Sequence, residues 1–318
     1  MTDLKSTSGR VTPWDPAARH RFVTSDGTAL HVRDTGPVEG SGSVTLLLSH
    51  GWTLDHTSWD RVVAAWPKDR PVRVVRYDHR GHGGSAPAPD GTATIAQVAD
   101  DLAELITERV PTGPVVLVGH SMGGMTAMAL AERHPDLFAS RIAAVGLVAT
   151  SSGGLSELTL GLPKWLATVV ARIERRLNRG LARLDRPTLM SRPTLARPGL
   201  RWLLFGSRAR QSDVIATAAQ VGRCHPASMA GFRESLDGHE RREALVAMRD
   251  IPVTLLAGGA DRLTALSHAR VIAAELPGAE FVVYPKAGHM LPYERDAEVA
   301  AHITALVDRV SRRQPAGL

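Results

Sequence analysis

With 318 residues, 43% of them hydrophobic and 22% charged, the chain has the balance of a globular protein and can bury a core without covalent staples. Its one cysteine, Cys224, excludes an intrachain disulfide and fits a reducing compartment. The net charge of +6 comes with no interleaving of basic and aromatic residues, which argues against nucleic-acid binding.

No apolar stretch opens the sequence and none is long enough to span a bilayer, so the chain reads as soluble and cytoplasmic. Residues 1–19 read as a flexible N-terminus. Residues 21–24 and 29–34 flank Ser25-Asp26-Gly27 and predict a hairpin. Continuous apolar runs at 44–49, 72–77, 115–119, 142–149, 253–257 and 281–284 predict strands buried on both faces. Helical patterns fall between the later runs, at 94–109, 122–134, 268–276 and 297–310. The second stops at Pro135, which cannot continue a helix. Alternating strands and helices predict an α/β fold, a mostly parallel eight-stranded sheet flanked by helices.

The alternation breaks at 152–248, where Leu, Arg and Ala patterns are interrupted by prolines. This segment predicts a helical insertion between core segments 20–151 and 249–312, with 313–318 as a tail. It holds sixteen Lys and Arg against eight Asp and Glu, a net +8 against −2 for the rest of the chain. Solvated helix faces account for that excess most simply. Attraction to an anionic substrate or a membrane surface is the second reading. Oligomeric state leaves no signal in the sequence.

Gly119-His120-Ser121-Met122-Gly123 lies between a predicted strand and a predicted helix. A serine there sits on a tight turn that lifts its hydroxyl above the sheet edge, and glycines on either side let the backbone close in. The helix N-terminus aims N–H groups at developing negative charge, so the Met122 amide, just after the serine, is a candidate donor to an oxyanion.

Four motifs in this order and spacing resemble the α/β-hydrolase superfamily, in its lidded esterase- and lipase-like branch. They are Leu48-Ser49-His50-Gly51-Trp52, the run Tyr77 to Ser85, Gly119-His120-Ser121-Met122-Gly123-Gly124, and Gly288-His289-Met290. The resemblance covers roughly 20–150 and 250–310 and does not extend to the insertion. It implies a nucleophile, acid, base order of Ser121, Asp261, His289, with no cofactor and no metal. The alternative acid position, after the run 142–149, holds Ala149-Thr150-Ser151-Ser152 and no carboxylate. The resemblance also makes the Trp52 amide the second oxyanion donor, with His50 and Gly51 shaping its loop and Gly119, His120 and Gly123 supporting the serine. The Trp52 ring either lines an acyl pocket or packs the core.

The clustered histidines His50, His56, His79, His82 and His120 match no common zinc spacing. The resemblance makes 152–248 a cap over Ser121, whose Leu158, Leu160, Leu162, Trp165, Leu166, Met190, Trp202, Leu203 and Phe205 either favour an apolar small-molecule acyl group or simply pack the cap. The expectation is a serine hydrolase of esters, thioesters or related acyl bonds. The same triad also supports C–C bond hydrolysis, lactone opening or cofactor-free perhydrolysis. A non-catalytic binding protein on this fold is the rival from another class. Epoxide hydrolases and haloalkane dehalogenases that resemble it carry Asp where this chain has Ser121.

Overall fold

The computed structural model describes residues 20–37, 43–155, 164–184, 186–207 and 209–313. Residues 1–19, most of the tail, and the cap residues Leu158, Leu160 and Leu162 lie outside the described residues, as do the side chains of Trp165 and Leu166.

The eight predicted strands form one sheet. They are β1 (Arg21–Val23), β2 (Ala29–Thr35), β3 (Thr45–Ser49), β4 (Arg73–Tyr77), β5 (Val115–His120), β6 (Ile142–Val148), β7 (Val253–Gly258) and β8 (Glu280–Tyr284). Their order across the sheet is β1-β2-β4-β3-β5-β6-β7-β8. β1 and β2 pair antiparallel, as do β2 and β4; every later pair is parallel. Every residue of β3 and β5 is buried. The continuous apolar runs follow from that, since helices cover both faces.

The helices are α1 (Asp60–Ala64), α2 (Ile95–Arg109), α3 (Met122–Arg133), α4 (Pro135–Arg141), α5 (Lys164–Leu181), α6 (Arg197–Leu204), α7 (Gln211–Arg223), α8 (Pro226–Asp237), α9 (Leu266–Glu275), α10 (Leu291–Glu294) and α11 (Asp296–Arg313). The Thr94 side chain starts α2 by accepting the Gln97 N–H, and the helix buries Ile95, Val98, Leu102, Leu105 and Ile106 on one side. These residues join Met125, Met128 and Leu130 of α3 in the largest of three core clusters among the described residues. α11 covers the opposite face of the sheet with Val299, Ile303, Leu306 and Val310. Between β6 and β7 every described element is helical. No helix among the described residues is long and apolar enough to cross a membrane.

Candidate active site

Ser121 sits between β5 and α3, where the backbone turns through φ 52° and ψ −117°. For a residue with a side chain this strain costs on the order of 1–3 kcal/mol and persists only under surrounding contacts. The Ser121 N–H donates to the Val148 carbonyl at 2.9 Å, and its own carbonyl accepts from Gly124, Met125 and, at 2.7 Å, the Thr150 hydroxyl. Glycine is needed on both sides. A Cβ on Gly119 would lie 2.3 Å from the Gly123 backbone, and one on Gly123 would lie 2.3 Å from the Ser49 carbonyl oxygen. Among the described residues, two other non-glycine residues have positive φ: Thr53, at 63°, and Ala149, at 46°. They follow β3 and β6, the neighbours of β5, so the strain gathers at one sheet edge.

Asp261 follows β7 and His289 follows β8, and the structure joins them. The His289 Nδ1–H donates to Asp261 Oδ2 at 2.8 Å. A carboxylate only accepts, so Nδ1 carries a ring proton and Nε2 is the nitrogen left facing away from Asp261. Asp261 Oδ1 also takes the N–H groups of Leu263 (2.8 Å) and Thr264 (3.0 Å), and Oδ2 takes the Thr264 hydroxyl (2.8 Å). Burial raises the Asp261 pKa, but His289 and these hydrogen bonds outweigh it and hold the carboxyl below its usual value. Sequence reasoning missed Thr264, although Asp and Thr three residues apart is a spacing of side-chain-capped turns.

His120 links the serine to this pair. Its Nε2–H donates to the His289 carbonyl at 2.9 Å. Among the described residues no hydrogen bond joins Ser121 Oγ to His289 Nε2; in enzymes such contacts tighten when substrate binds. The His289 loop is clasped from two sides. The N–H groups of His289 and Met290 donate to the Leu204 carbonyl at 2.8 and 3.2 Å. Glu294 accepts the Gly288 N–H at 2.8 Å and the Gly206 N–H at 2.9 Å. Glu294 carried no sequence signal, because Gly206 lies 88 residues away.

On the other side of Ser121, Gly51 leaves room for little: a Cβ there would lie 3.2 Å from Ser121 Cβ and 3.0 Å from His120 Nδ1. The His79 N–H donates to His50 Nε2 at 2.9 Å, which fixes the His50 proton on Nδ1, whence it donates to the Gly51 carbonyl at 2.8 Å. Burial, with His79 and His82 nearby, pushes the His50 pKa well down, so the ring is a neutral brace. The Met122 N–H opens α3 and has no acceptor within its helix. Neither it nor the Trp52 N–H is committed to another hydrogen bond among the described residues. The Trp52 indole N–H instead donates to the Met229 carbonyl of α8 at 3.2 Å, and its ring packs against the largest core cluster.

The run from Asp78 to Ser85 braces these loops. Asp78 accepts the His56 N–H, the His56 Nδ1–H and the Gly84 N–H, and is held at about pKa 2. Buried Arg80 reaches Asp101 at 2.7 Å, Asp26 at 2.8 Å and Thr92 at 2.9 Å. Cys224 is fully buried against this run, beside the His225 N–H that donates to the Gly81 carbonyl at 3.0 Å. Burial pushes its thiol pKa up. Among the described residues, His31, His56 and Asp78 form the one group whose ligand atoms lie close enough, within 4.8 Å, to share an ion, and Asp78 there already accepts three N–H groups. Of the insertion residues singled out in the sequence, Leu203 and Phe205 pack with Leu54, Leu204, Val214, Met290 and Tyr293 beside the His289 loop. Trp202 is half exposed under Arg262, and Met190 is partly buried, its N–H donating to the Gly222 carbonyl. Ser121 itself is 9% exposed and His289 3%.

A family model described as the alpha/beta hydrolase family matches residues 46–302. A pimeloyl-[acyl-carrier protein] methyl ester esterase of Aromatoleum aromaticum is 28% identical over 249 residues, covering 77% of this chain and 90% of that protein. Lipase LipV of Mycobacterium tuberculosis is 29% identical over 281 residues, 86% of this chain and 96% of that one. The structure of a thermophilic esterase from Thermogutta terrifontis superposes with a TM-score of 0.71 at 26% identity, covering 91% of this chain and 98% of the other.

Proposed function

Because the chain belongs to the alpha/beta hydrolase family, we propose that it is a serine hydrolase cleaving an ester or related acyl bond of a small apolar molecule. The observation that carries this reading is the strained turn at Ser121, set at the same sheet edge as the hydrogen-bonded Asp261–His289 pair. The relatives named as esterases and a lipase support the ester bond.

Ser121 Oγ attacks the substrate carbonyl carbon while His289 Nε2 takes the hydroxyl proton. Asp261 keeps the His289 proton on Nδ1 and stabilises the imidazolium. The N–H groups of Met122 and Trp52 hold the oxyanion, supported by His50, Gly51, Gly119, His120 and Gly123. Collapse of the tetrahedral adduct breaks the bond to the leaving alcohol, which takes the proton from His289. Water, deprotonated by His289, then attacks the acyl-serine and releases the acid and free Ser121. In such triads, losing one oxyanion donor costs on the order of 10²–10³ in rate. We read 152–248 as a cap on a core of 20–151 and 249–312, supported by the Leu204 and Met229 bonds to the His289 loop and Trp52. The apolar cluster of Leu54, Leu204, Phe205 and Met290 supports an apolar acyl group.

A panel of p-nitrophenyl esters of graded chain length, with a fluorophosphonate probe, tests the reading. Ser121→Ala loses turnover by on the order of 10⁶-fold and labelling altogether. His289→Ala slows labelling severely. Ester turnover that persists in Ser121→Ala, or labelling at an unchanged rate in His289→Ala, refutes the mechanism. Ligand binding without turnover or labelling identifies a binding protein instead.

A further inference from the structure

We propose that α5 is a docking element that lays this protein on an anionic phospholipid bilayer. On α5, Val169, Ile173 and Leu177 follow one another at four-residue steps and are 43%, 55% and 64% exposed. Residues four apart share a helix face, so the three side chains form one apolar line pointing away from the protein. Gly180 continues the line, with open space above it. Exposed Arg172, Arg176 and Arg179 run alongside on one flank. None of them meets a carboxylate at ion-pair distance among the described residues. The described carboxylate of α5, Glu174, faces the other way and is taken by Arg233 of α8. Asn178, also on that side, donates to the Ala230 carbonyl at 3.0 Å and fixes the helix to α8.

Glu174 and Asn178 tie one side of α5 to α8, while its apolar line and arginines face outward. A line of three large exposed hydrophobes beside a row of cations fits the boundary between acyl chains and phosphates. The apolar side chains enter the acyl region, and arginine stems run along it to place their guanidinium groups among the headgroups. Charge selects the occupant. The segment carrying α5 has net +8, so a negative surface attracts it. A second copy packing antiparallel through the same face about a two-fold axis would bring like arginine rows together. The inference does not depend on the chemistry at Ser121.

Co-sedimentation of the full chain with phosphatidylcholine vesicles, with and without about 30 mol% phosphatidylglycerol, tests it. The expected result is binding at least about tenfold tighter to the anionic vesicles, weakening as salt rises. The I173E/L177E double variant loses vesicle binding. The R172Q/R176Q/R179Q triple variant loses the preference for anionic vesicles. Circular dichroism and thermal unfolding confirm that both fold, and turnover of a short water-soluble ester is unchanged. Three results overturn the proposal: no binding to anionic vesicles, full binding by folded I173E/L177E, or self-association through this face without vesicle binding.

Discussion

At the scale of single residues, the site is governed by how little space surrounds Ser121. The two glycines of its motif are legible in the sequence as small residues, but the reason is tertiary. Gly123 abuts the Ser49 carbonyl from β3, and no local pattern shows that contact. Gly123→Ala therefore forces backbone apart, and we expect a loss of about 1–3 kcal/mol in thermal unfolding with fluorophosphonate labelling of Ser121 largely abolished. Gly180, with nothing within 4 Å of a Cβ, is the contrast. The same exchange there stabilises by roughly 0.5–1 kcal/mol, as alanine does in a helix interior. Equal effects at the two positions would contradict this account. Ser121, Asp261 and His289 were each legible as candidates because each follows a recognisable strand in the order the resemblance implies. Thr150, Thr264 and Glu294 were not, because their tasks are set by partners on other elements.

At the scale of elements, the strands emerged with their ends displaced by a residue or so, as expected when burial fixes the middle of a strand and the loop fixes its ends. The larger difference is at Pro135. Proline ends α3 as the sequence implies, yet it also begins α4, where it occupies the first turn and its missing N–H costs nothing. His134, with φ −128°, serves as the boundary of both helices. The clasp by Glu294 joins three elements: α10, the His289 loop and the residues just after α6. Glu294→Gln leaves one carbonyl oxygen for two N–H donors and turns an amide N–H toward the other. The expected cost is about 1–3 kcal/mol, measured by denaturant unfolding, with faster hydrogen exchange at Gly206 and Gly288. Unchanged exchange at both glycines would show that the clasp holds nothing.

At the scale of the whole molecule, five imidazoles among the described residues, His50, His79, His82, His120 and His239, are buried with their pKa values lowered. Burial lowers His79 and His120 to about 3 and His82 and His239 to about 4, and takes His50 well below its usual value. In the unfolded chain each titrates near 6.5. Between that value and the folded pKa the unfolded state holds the extra protons, so stability is full above pH 6.5 and falls as pH drops below it. Asp78 and Asp261, whose pKa values are lowered, add a second loss below about pH 4 as they take up protons. The thermal midpoint should be level from pH 8 to 7 and fall steadily from about 6.5, with about one proton taken up per buried histidine on unfolding near pH 5. A flat profile down to pH 4.5 would contradict it. The histidines were visible as a cluster in the sequence; their neutrality was not, since it comes from burial among residues distant in the chain.

The place of Cys224 gives this protein a clock of its own. Its sulfur is sealed where α7 and α8 meet the Asp78–Ser85 run, and it is the chain's single thiol. A reagent that captures thiols can reach it only during moments when those helices lift away. At saturating reagent the capture rate equals the frequency of lifting; at limiting reagent it reports the fraction of time spent open. Comparing that frequency with turnover, with no substitution introduced, tells whether the helices lift faster or slower than the enzyme turns over.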